Sequence, residues 1–319
     1  MPVRAGRCTD QRASGLCGRQ CQKDEEHRVS SISERTTGAF AYAEAASVPP
    51  GPVAAPSTEQ PYVDLRNVSL VYGDDVDQTL AIDRLDLKVR EGEFVAVVGP
   101  SGCGKSTLMK LVTGLLPPDS GAVFIQGKKA DGPVAGVGMA FQNSTLLPWR
   151  STLSNVMLPF ELVQPHRKRL RKHHAEYVEK AKRLLDTVGL LEFADKFPWE
   201  LSGGMQQRAN VCRALVHEPK LLMLDEPFGA LDAFTREELW LMTQDLWLKH
   251  RFSSILVTHD LREAVFLADR VIVLSKRPGR ILLERQVDIP RPRALSCTFE
   301  PLFSDIVHEI REKIVEARG

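Results

Sequence analysis

Phe94-Val-Ala-Val-Val98 runs directly into Gly99-Pro-Ser-Gly-Cys-Gly-Lys-Ser-Thr107 and then into Leu108-Met-Lys-Leu-Val112. The order is a buried strand, a glycine loop and an amphipathic helix, the context in which the pattern GxxxxGK[ST] cradles phosphate. Gly99, Gly102 and Gly104 permit backbone conformations that turn successive N–H groups inward, and the helix adds its positive end to the same cavity. Lys105 is placed to reach the β- and γ-phosphates of a nucleoside triphosphate, and the Ser106 hydroxyl to hold Mg²⁺. Pro100, Ser101, Cys103 and Thr107 complete the loop.

A phosphate loop of this kind needs an acidic strand. Leu221-Leu-Met-Leu-Asp225-Glu226-Pro227 supplies one, an apolar run ending in adjacent carboxylates. Asp225 is expected to hold Mg²⁺, and Glu226, where the strand ends, to act as the general base that takes a proton from an attacking water.

Strand character extends outward from this core. Val63, Leu65, Val68 and Leu70, then Leu85, Leu87 and Val89, alternate as antiparallel strands do, with Gly73-Asp-Asp as a turn between them. Further strands are predicted at Ala122–Ile125, Val137–Phe141, Ile255–Val257 and Val271–Leu274. Residues from about 150 to 215 carry helical periodicity instead, for example Tyr177, Ala181, Leu184, Leu185 and Val188. The fold expected is therefore α/β: a P-loop NTPase core with a mainly parallel sheet, an antiparallel β subdomain and a helical insert subdomain at about 145–215.

Residues 1–60 are rich in Arg, Ser, Thr, Ala, Gly and Pro without a lasting apolar period, and read as a disordered leader ending in the Pro49-Pro-Gly-Pro52 linker. Cys8, Cys17 and Cys21 lack the paired Cys/His set of a zinc site and read as solvated thiols. At the other end, 291–319 is expected to be a helical extension. Leu302, Phe303, Ile306, Val307, Ile310, Ile314 and Val315 form one apolar face, which either packs on the domain or binds a partner.

Composition narrows the partners. The 319 residues hold 42 Lys and Arg against 41 Asp and Glu, so no global field attracts nucleic acid or an anionic membrane. The basic run His166-Arg-Lys-Arg-Leu-Arg-Lys-His-His174 has no interleaved aromatics and reads as a solvated helix face. No uninterrupted apolar stretch of about 18 residues predicts a transmembrane helix, no secretory h-region follows the basic start, and scattered cysteines suit a reducing compartment. A cytosolic location is expected.

Leu201-Ser-Gly-Gly-Met-Gln-Gln-Arg208 sharpens this picture. Ser202 is a good N-cap, Gly203 and Gly204 leave backbone amides uncovered, and a helix follows, which makes a second anion cradle. The stretch resembles the signature sequence of the ATP-binding-cassette family, with Gln206 inside it. The resemblance covers about 62–275, so that 61–290 is expected to form the ABC ATPase domain, and it implies further roles. Tyr72 matches the aromatic on which adenine stacks, Gln142 the glutamine that reaches Mg²⁺ and the water, Asp232 the aspartate loop at a dimer contact, and His259 the switch histidine at the γ-phosphate. It also implies a head-to-tail dimer, most simply a homodimer, in which Ser202–Gly204 of one subunit covers the nucleotide on Lys105 of the other.

Leu146-Leu-Pro-Trp-Arg150, Phe228–Arg236 and Ser275-Lys-Arg-Pro-Gly-Arg-Ile281 are similar to the bacterial importer branch for nitrate, taurine and aliphatic sulfonates. That likeness implies an integral membrane permease, indirectly a periplasmic or lipid-anchored substrate-binding protein, and a peripheral position on the cytoplasmic face of the cell membrane. Trp149 reads either as an apolar anchor for the permease or as a core tryptophan. A soluble ABC ATPase acting on nucleic acid or ribosomes is the alternative. Finally, Cys103 sits at a helix N-terminus beside Lys105, an environment expected to favour thiolate and ATP-protected alkylation.

Overall fold

The computed structural model describes residues 61–73 and 78–317. The readings of the leader, its cysteines, the Pro49–Pro52 linker and the turn residues Asp74 and Asp75 lie outside those residues.

The apolar runs and the alternating runs sort into separate sheets. β1 (Val63–Tyr72), β2 (Thr79–Val89), β4 (Ser120–Ile125) and β5 (Lys128–Lys129) make an antiparallel sheet in the order β2-β1-β4-β5. β3 (Phe94–Val98), β6 (Val137–Phe141), β7 (Leu221–Asp225), β8 (Ser253–Val257), β9 (Arg270–Leu274) and β10 (Ile281–Gln286) make the second, in the order β10-β9-β3-β8-β7-β6. All its pairings are parallel except β10 with β9. Strands β3, β8 and β9 are buried along their whole length, as parallel strands covered on both faces must be. Phe94, Ala96 and Val98 point into one apolar core, while Val95 and Val97 point into the other, beneath the antiparallel sheet.

Helix α1 (Lys105–Val112) follows the glycine loop. Between β6 and β7 come α2 (Thr152–Leu162), α3 (His166–Arg169), α4 (His174–Thr187) and α5 (Gly203–Leu215). On α4 the buried residues Tyr177, Ala181, Leu184 and Leu185 form the stripe that the sequence spacing predicts. Next are α6 (Ala233–His250), α7 (Leu261–Leu267) and α8 (Pro301–Glu316).

Helix α8 packs on α7, β9 and β10 through Phe303, Ile306, Ile310 and Ile314, so its main apolar face belongs to the domain core. Leu302 and Val315 are left exposed. A buried arginine secures the neighbouring helix end: Arg293 Nη1 donates to the carbonyls of Val265, Phe266 and Ala268 at 2.7–2.9 Å, satisfying orphan acceptors at the α7 C-terminus.

Candidate active site

The strand ends of the second sheet line up. Phe141 pairs with Asp225, Asp225 with Val257, and Val97 of β3 also with Val257. The residues that follow these strands, Gln142, Glu226, Thr258-His259 and the Gly99 loop, therefore emerge along one edge, where α/β sheets place their ligands.

At that edge a cleft of about 500 Å³ is lined by Tyr72, Thr79, Ala81, Ser101, Gly102, Gly104, Lys105, Ser106, Thr107, Glu226 and Arg277. Gly102 and Gly104 have φ of 75° and 102°, left-handed values that glycine adopts without penalty. A Cβ on Gly104 would stand 2.9 Å from Ile82 Cδ1 and 3.0 Å from the Ala81 carbonyl, so a side chain there would collide with β2. Lys105 is buried, and its Nζ donates to the carbonyls of Gly99 at 2.9 Å and Pro100 at 3.1 Å. Tyr72 Oη lies 3.4 Å from Thr107 Oγ1, which ties the expected adenine platform to the helix start of the phosphate loop.

Cys103 departs from expectation. Its thiol is fully buried in the apolar core beneath the antiparallel sheet, packed under Gly99, and burial raises its pKa by more than nearby Lys105 lowers it. The thiolate reading is therefore corrected: the Cys103 backbone belongs to the loop, but its sulfur faces away from the cleft.

The acidic end is held under tension. Asp225 ends β7 half-buried, with its pKa raised by burial and by the Glu226 charge against the opposing pull of Lys105. Glu226 has φ 45°, a left-handed value that costs a non-glycine residue roughly 1–2 kcal/mol. Its N–H donates to the Val257 carbonyl at 2.8 Å, and its carbonyl accepts from Gly229 N–H at 3.2 Å, so the surrounding backbone enforces the conformation. His259 Nδ1 lies 3.2 Å from Glu226 Oε2. Gly229 sits between the other polar partners: a Cβ there would be 3.5 Å from Gln142 Nε2 and 3.6 Å from His259 Cε1.

The second cradle lies elsewhere. Ser202 caps α5 by accepting from Met205 N–H at 3.3 Å, and Ser202 and Gly203 are exposed outside the cleft. Gly204 lets the start of α5 approach α6, since a Cβ there would meet Thr235 Cγ2 at 2.5 Å. Asp232 caps α6 by accepting from Thr235 N–H at 3.1 Å, and that bond lowers its pKa. Gln206 is engaged within the chain, donating to the carbonyls of Pro198 and Leu201 and accepting from Ser144 Oγ at 3.0 Å.

The structure adds residues to which the sequence assigns no individual role. Gln207 Nε2 and Asn210 Nδ2 both donate to the Phe141 carbonyl at 3.1 Å, while Arg213 donates to the carbonyls of Ser144 and Thr145. Helix α5 is thus bonded along its length to the segment carrying Gln142. Arg277, in the β9–β10 connection, reaches the cleft from a segment with no local signal for phosphate. Trp149 is 70% exposed, which removes its reading as a core residue. Its loop is braced by buried Asn155, which accepts from Leu147 N–H and donates to the carbonyls of Leu147, Arg150 and Ser151.

Among the described residues no cluster of three or more His, Cys, Asp or Glu could hold a metal alone. The Ser106 hydroxyl, Asp225 carboxylate and Gln142 amide instead offer oxygen donors suited to Mg²⁺ completed by phosphate oxygens. Backbone cradle, cation and oxygen donors together fit a magnesium nucleotide.

Comparison with known proteins agrees with this chemistry. The family model "ABC transporter" matches residues 82–229. An aliphatic sulfonates import ATP-binding protein, SsuB 2 of Burkholderia cenocepacia, is 47% identical over 233 residues, covering 73% of this chain and 81% of that protein. An uncharacterised ABC transporter ATP-binding protein of Methanocaldococcus jannaschii is 40% identical over 254 residues, covering 79% of this chain and 92% of the relative. A solved dimeric ATP-binding cassette, MJ0796 in a post-hydrolysis state bound to ADP and Pi, superposes with a TM-score of 0.60 at 29% identity, covering 72% of this chain and all of that one. With the phosphate loop, the acidic strand end and the capped Ser202 helix in one α/β fold, the chain belongs to the ATP-binding-cassette transporter family and is an ATPase of that family.

Proposed function

We propose that this chain is the ATP-hydrolysing subunit of an importer for a small anion such as an aliphatic sulfonate, taurine or nitrate, acting through a separate membrane permease. The observation that carries this reading is the 47% identity to the sulfonate import subunit of Burkholderia cenocepacia. Exposed Trp149 on its braced loop supports a protein contact at that surface. Among the described residues no helix is long and apolar enough to cross a membrane. In this reading the permease is a separate chain, and this subunit sits peripherally at the cytoplasmic face.

In this reading Tyr72 stacks on adenine, contributing about 1–3 kcal/mol by analogy with base stacking. The loop amides and Lys105 hold the phosphates, and Ser106, Asp225 and Gln142 hold Mg²⁺. Bound Mg²⁺ neutralises charge that develops on the phosphate oxygens. Glu226 takes the proton of the attacking water, with His259 holding its ring against that carboxylate and Gln142 orienting the water. Ser202 and Gly203 are exposed and do not line the cleft of their own chain, which supports completion of each site by a second subunit. Asp232 then lines the contact between subunits.

Co-expression with a multi-span permease and a binding protein tests the proposal. The expected result is co-purification and ATPase stimulation by one of a panel of small anions: alkanesulfonates, taurine, nitrate and bicarbonate. A chain that hydrolyses ATP at an unchanged rate with every solute and retains no permease would refute the importer reading. Ser202→Arg tests the dimer separately: each chain should still bind nucleotide while hydrolysis is lost, and normal hydrolysis would rule out the facing arrangement.

A further inference from the structure

The connection between β9 and β10 is built as a strap across the phosphate loop. It closes on itself: Ser275 N–H donates to the Arg280 carbonyl at 2.8 Å, Arg280 N–H to Ser275 Oγ at 2.9 Å, and Ser275 Oγ to the Pro278 carbonyl at 2.6 Å. It is tied to the antiparallel sheet by Gly279 N–H to the Ala81 carbonyl at 2.9 Å and by Asp83 N–H to the Gly279 carbonyl at 3.2 Å. The Arg280 guanidinium pairs with Asp83 at the same point. Beneath the strap lies the phosphate loop itself. A Cβ on Gly279 would stand 2.4 Å from the Cys103 carbonyl, so only glycine lets the two backbones come this close.

This construction fixes where Arg277 can go. Its Nε lies 3.4 Å from the Gly102 carbonyl, and its Nη2 would be 3.4 Å from a Cβ on Gly102. The guanidinium lines the cleft with Tyr72, Lys105, Ser106 and Thr107. Among the described residues no carboxylate lies within ion-pair distance of it, whereas Arg280, three residues on, is paired with Asp83. An exposed guanidinium without a protein counter-ion, held at the mouth of an anion cleft, is matched to an anion whose oxygens can accept from its planar fork of N–H donors, as phosphate does.

We propose that Arg277 is a nucleotide-binding residue, its guanidinium carried by the Ser275–Arg280 strap to the polyphosphate of ATP or ADP. This rests on the cleft being the ATP site and assigns the nucleotide a cation from outside the phosphate loop.

Calorimetric titration of the full chain with ATP, ADP and AMP in the presence of Mg²⁺ tests the proposal. Arg277→Ala should weaken ATP and ADP about tenfold, the effect of one charge-assisted contact, and AMP less than threefold. Arg277→Lys, which keeps the charge but not the fork, should fall between. Lys105→Ala is the control for the cleft and should abolish measurable ATP binding. If Lys105→Ala behaves so while Arg277→Ala binds ATP and ADP as wild type does, the assignment of Arg277 is wrong. Equal weakening of AMP and ATP overturns the polyphosphate contact, and unchanged binding by Lys105→Ala overturns the cleft as the ATP site.

Discussion

Glu263 offers a test of how the His259 turn is held. It is 2% exposed, yet it belongs to α7, the helix that starts two residues after His259. Its Oε2 accepts from Thr258 Oγ1 at 3.0 Å, and the same hydroxyl accepts from Asp260 N–H at 3.0 Å, so His259 lies between two anchored neighbours. The charged groups around Glu263 are Asp260, Arg236 and Glu226; burial first, then Asp260, pushes its pKa up from 4.5 to about 8. Below pH 4.5 the carboxyl is protonated in both folded and unfolded chains and has no linkage effect. As pH rises toward 8 the unfolded chain releases the proton while the folded chain retains it, so stability is progressively lost. At ~1.36 kcal/mol per pKa unit, the loss between pH 5 and pH 8 is about 3 kcal/mol. Glu263→Gln removes the titration and keeps an oxygen for Thr258. Its offset at any one pH also contains the pH-independent effect of a new buried N–H, so the difference between the two pH profiles is the decisive quantity. Urea unfolding of both proteins from pH 5 to 8 should show the variant gaining about 3 kcal/mol on wild type across the range. Parallel profiles would refute the buried, proton-retaining carboxyl.

Glu226→Gln should retain ATP binding and lower turnover by about 10²–10⁴, measured as phosphate release; an unchanged rate removes Glu226 as the base. Peptide-level mass spectrometry after maleimide treatment should find Cys103, Cys212 and Cys297 unlabelled in the native protein, with or without ATP, because all three are buried. Gly138→Ala should destabilise by about 2–4 kcal/mol, read as a lower urea midpoint, since its Cβ would stand 2.2 Å from the Ala214 carbonyl and neither backbone can yield cheaply. Trp149→Ala should change stability by under about 0.5 kcal/mol and leave the isolated ATPase intact, while weakening permease retention on co-purification.

The parts of the site legible in the sequence are those whose geometry is local. A glycine loop between an apolar run and a helix, or Ser202 ahead of two glycines and a helix, carries its own conformational reason. The burial of the Cys103 thiol is not legible in the sequence, because the field at a helix start says nothing of the direction of the side chain, which the turn from β3 into α1 sends beneath Gly99. Asp232 as an N-cap to Thr235 had a readable signal, an Asp three residues before Thr at a helix start. Glu226's left-handed backbone had none, because it is imposed by Val257 on a strand far away in sequence. The same holds for Arg277, whose relation to Gly102 exists only once β9 is laid beside β3.

The precision of the acidic edge therefore derives from sheet register more than from the motifs. Gln142, Glu226 and His259 are separated by tens of residues, and what brings them together is that β6, β7 and β8 end level at Phe141, Asp225 and Val257. A slip of one residue in β7 would turn Asp225 to the opposite face of the sheet and draw Glu226 out of reach of Val257. The slip is resisted from both sides: Leu222 and Leu224 fill one core and Leu221 and Met223 the other, so neither face can be exchanged without repacking. Around this rigid edge, Gln142 and His259 remain exposed. Each is tethered from behind, Gln142 by the bonds of Gln207 and Asn210 to Phe141, His259 by Thr258 and Glu263. Glu226, the proposed base, is thus fixed by the sheet, while the backbone ahead of Gln142 is bonded to α5 and the residue ahead of His259 to α7. A movement of either helix would bear on Gln142 or His259 first and leave Glu226 where Val257 holds it.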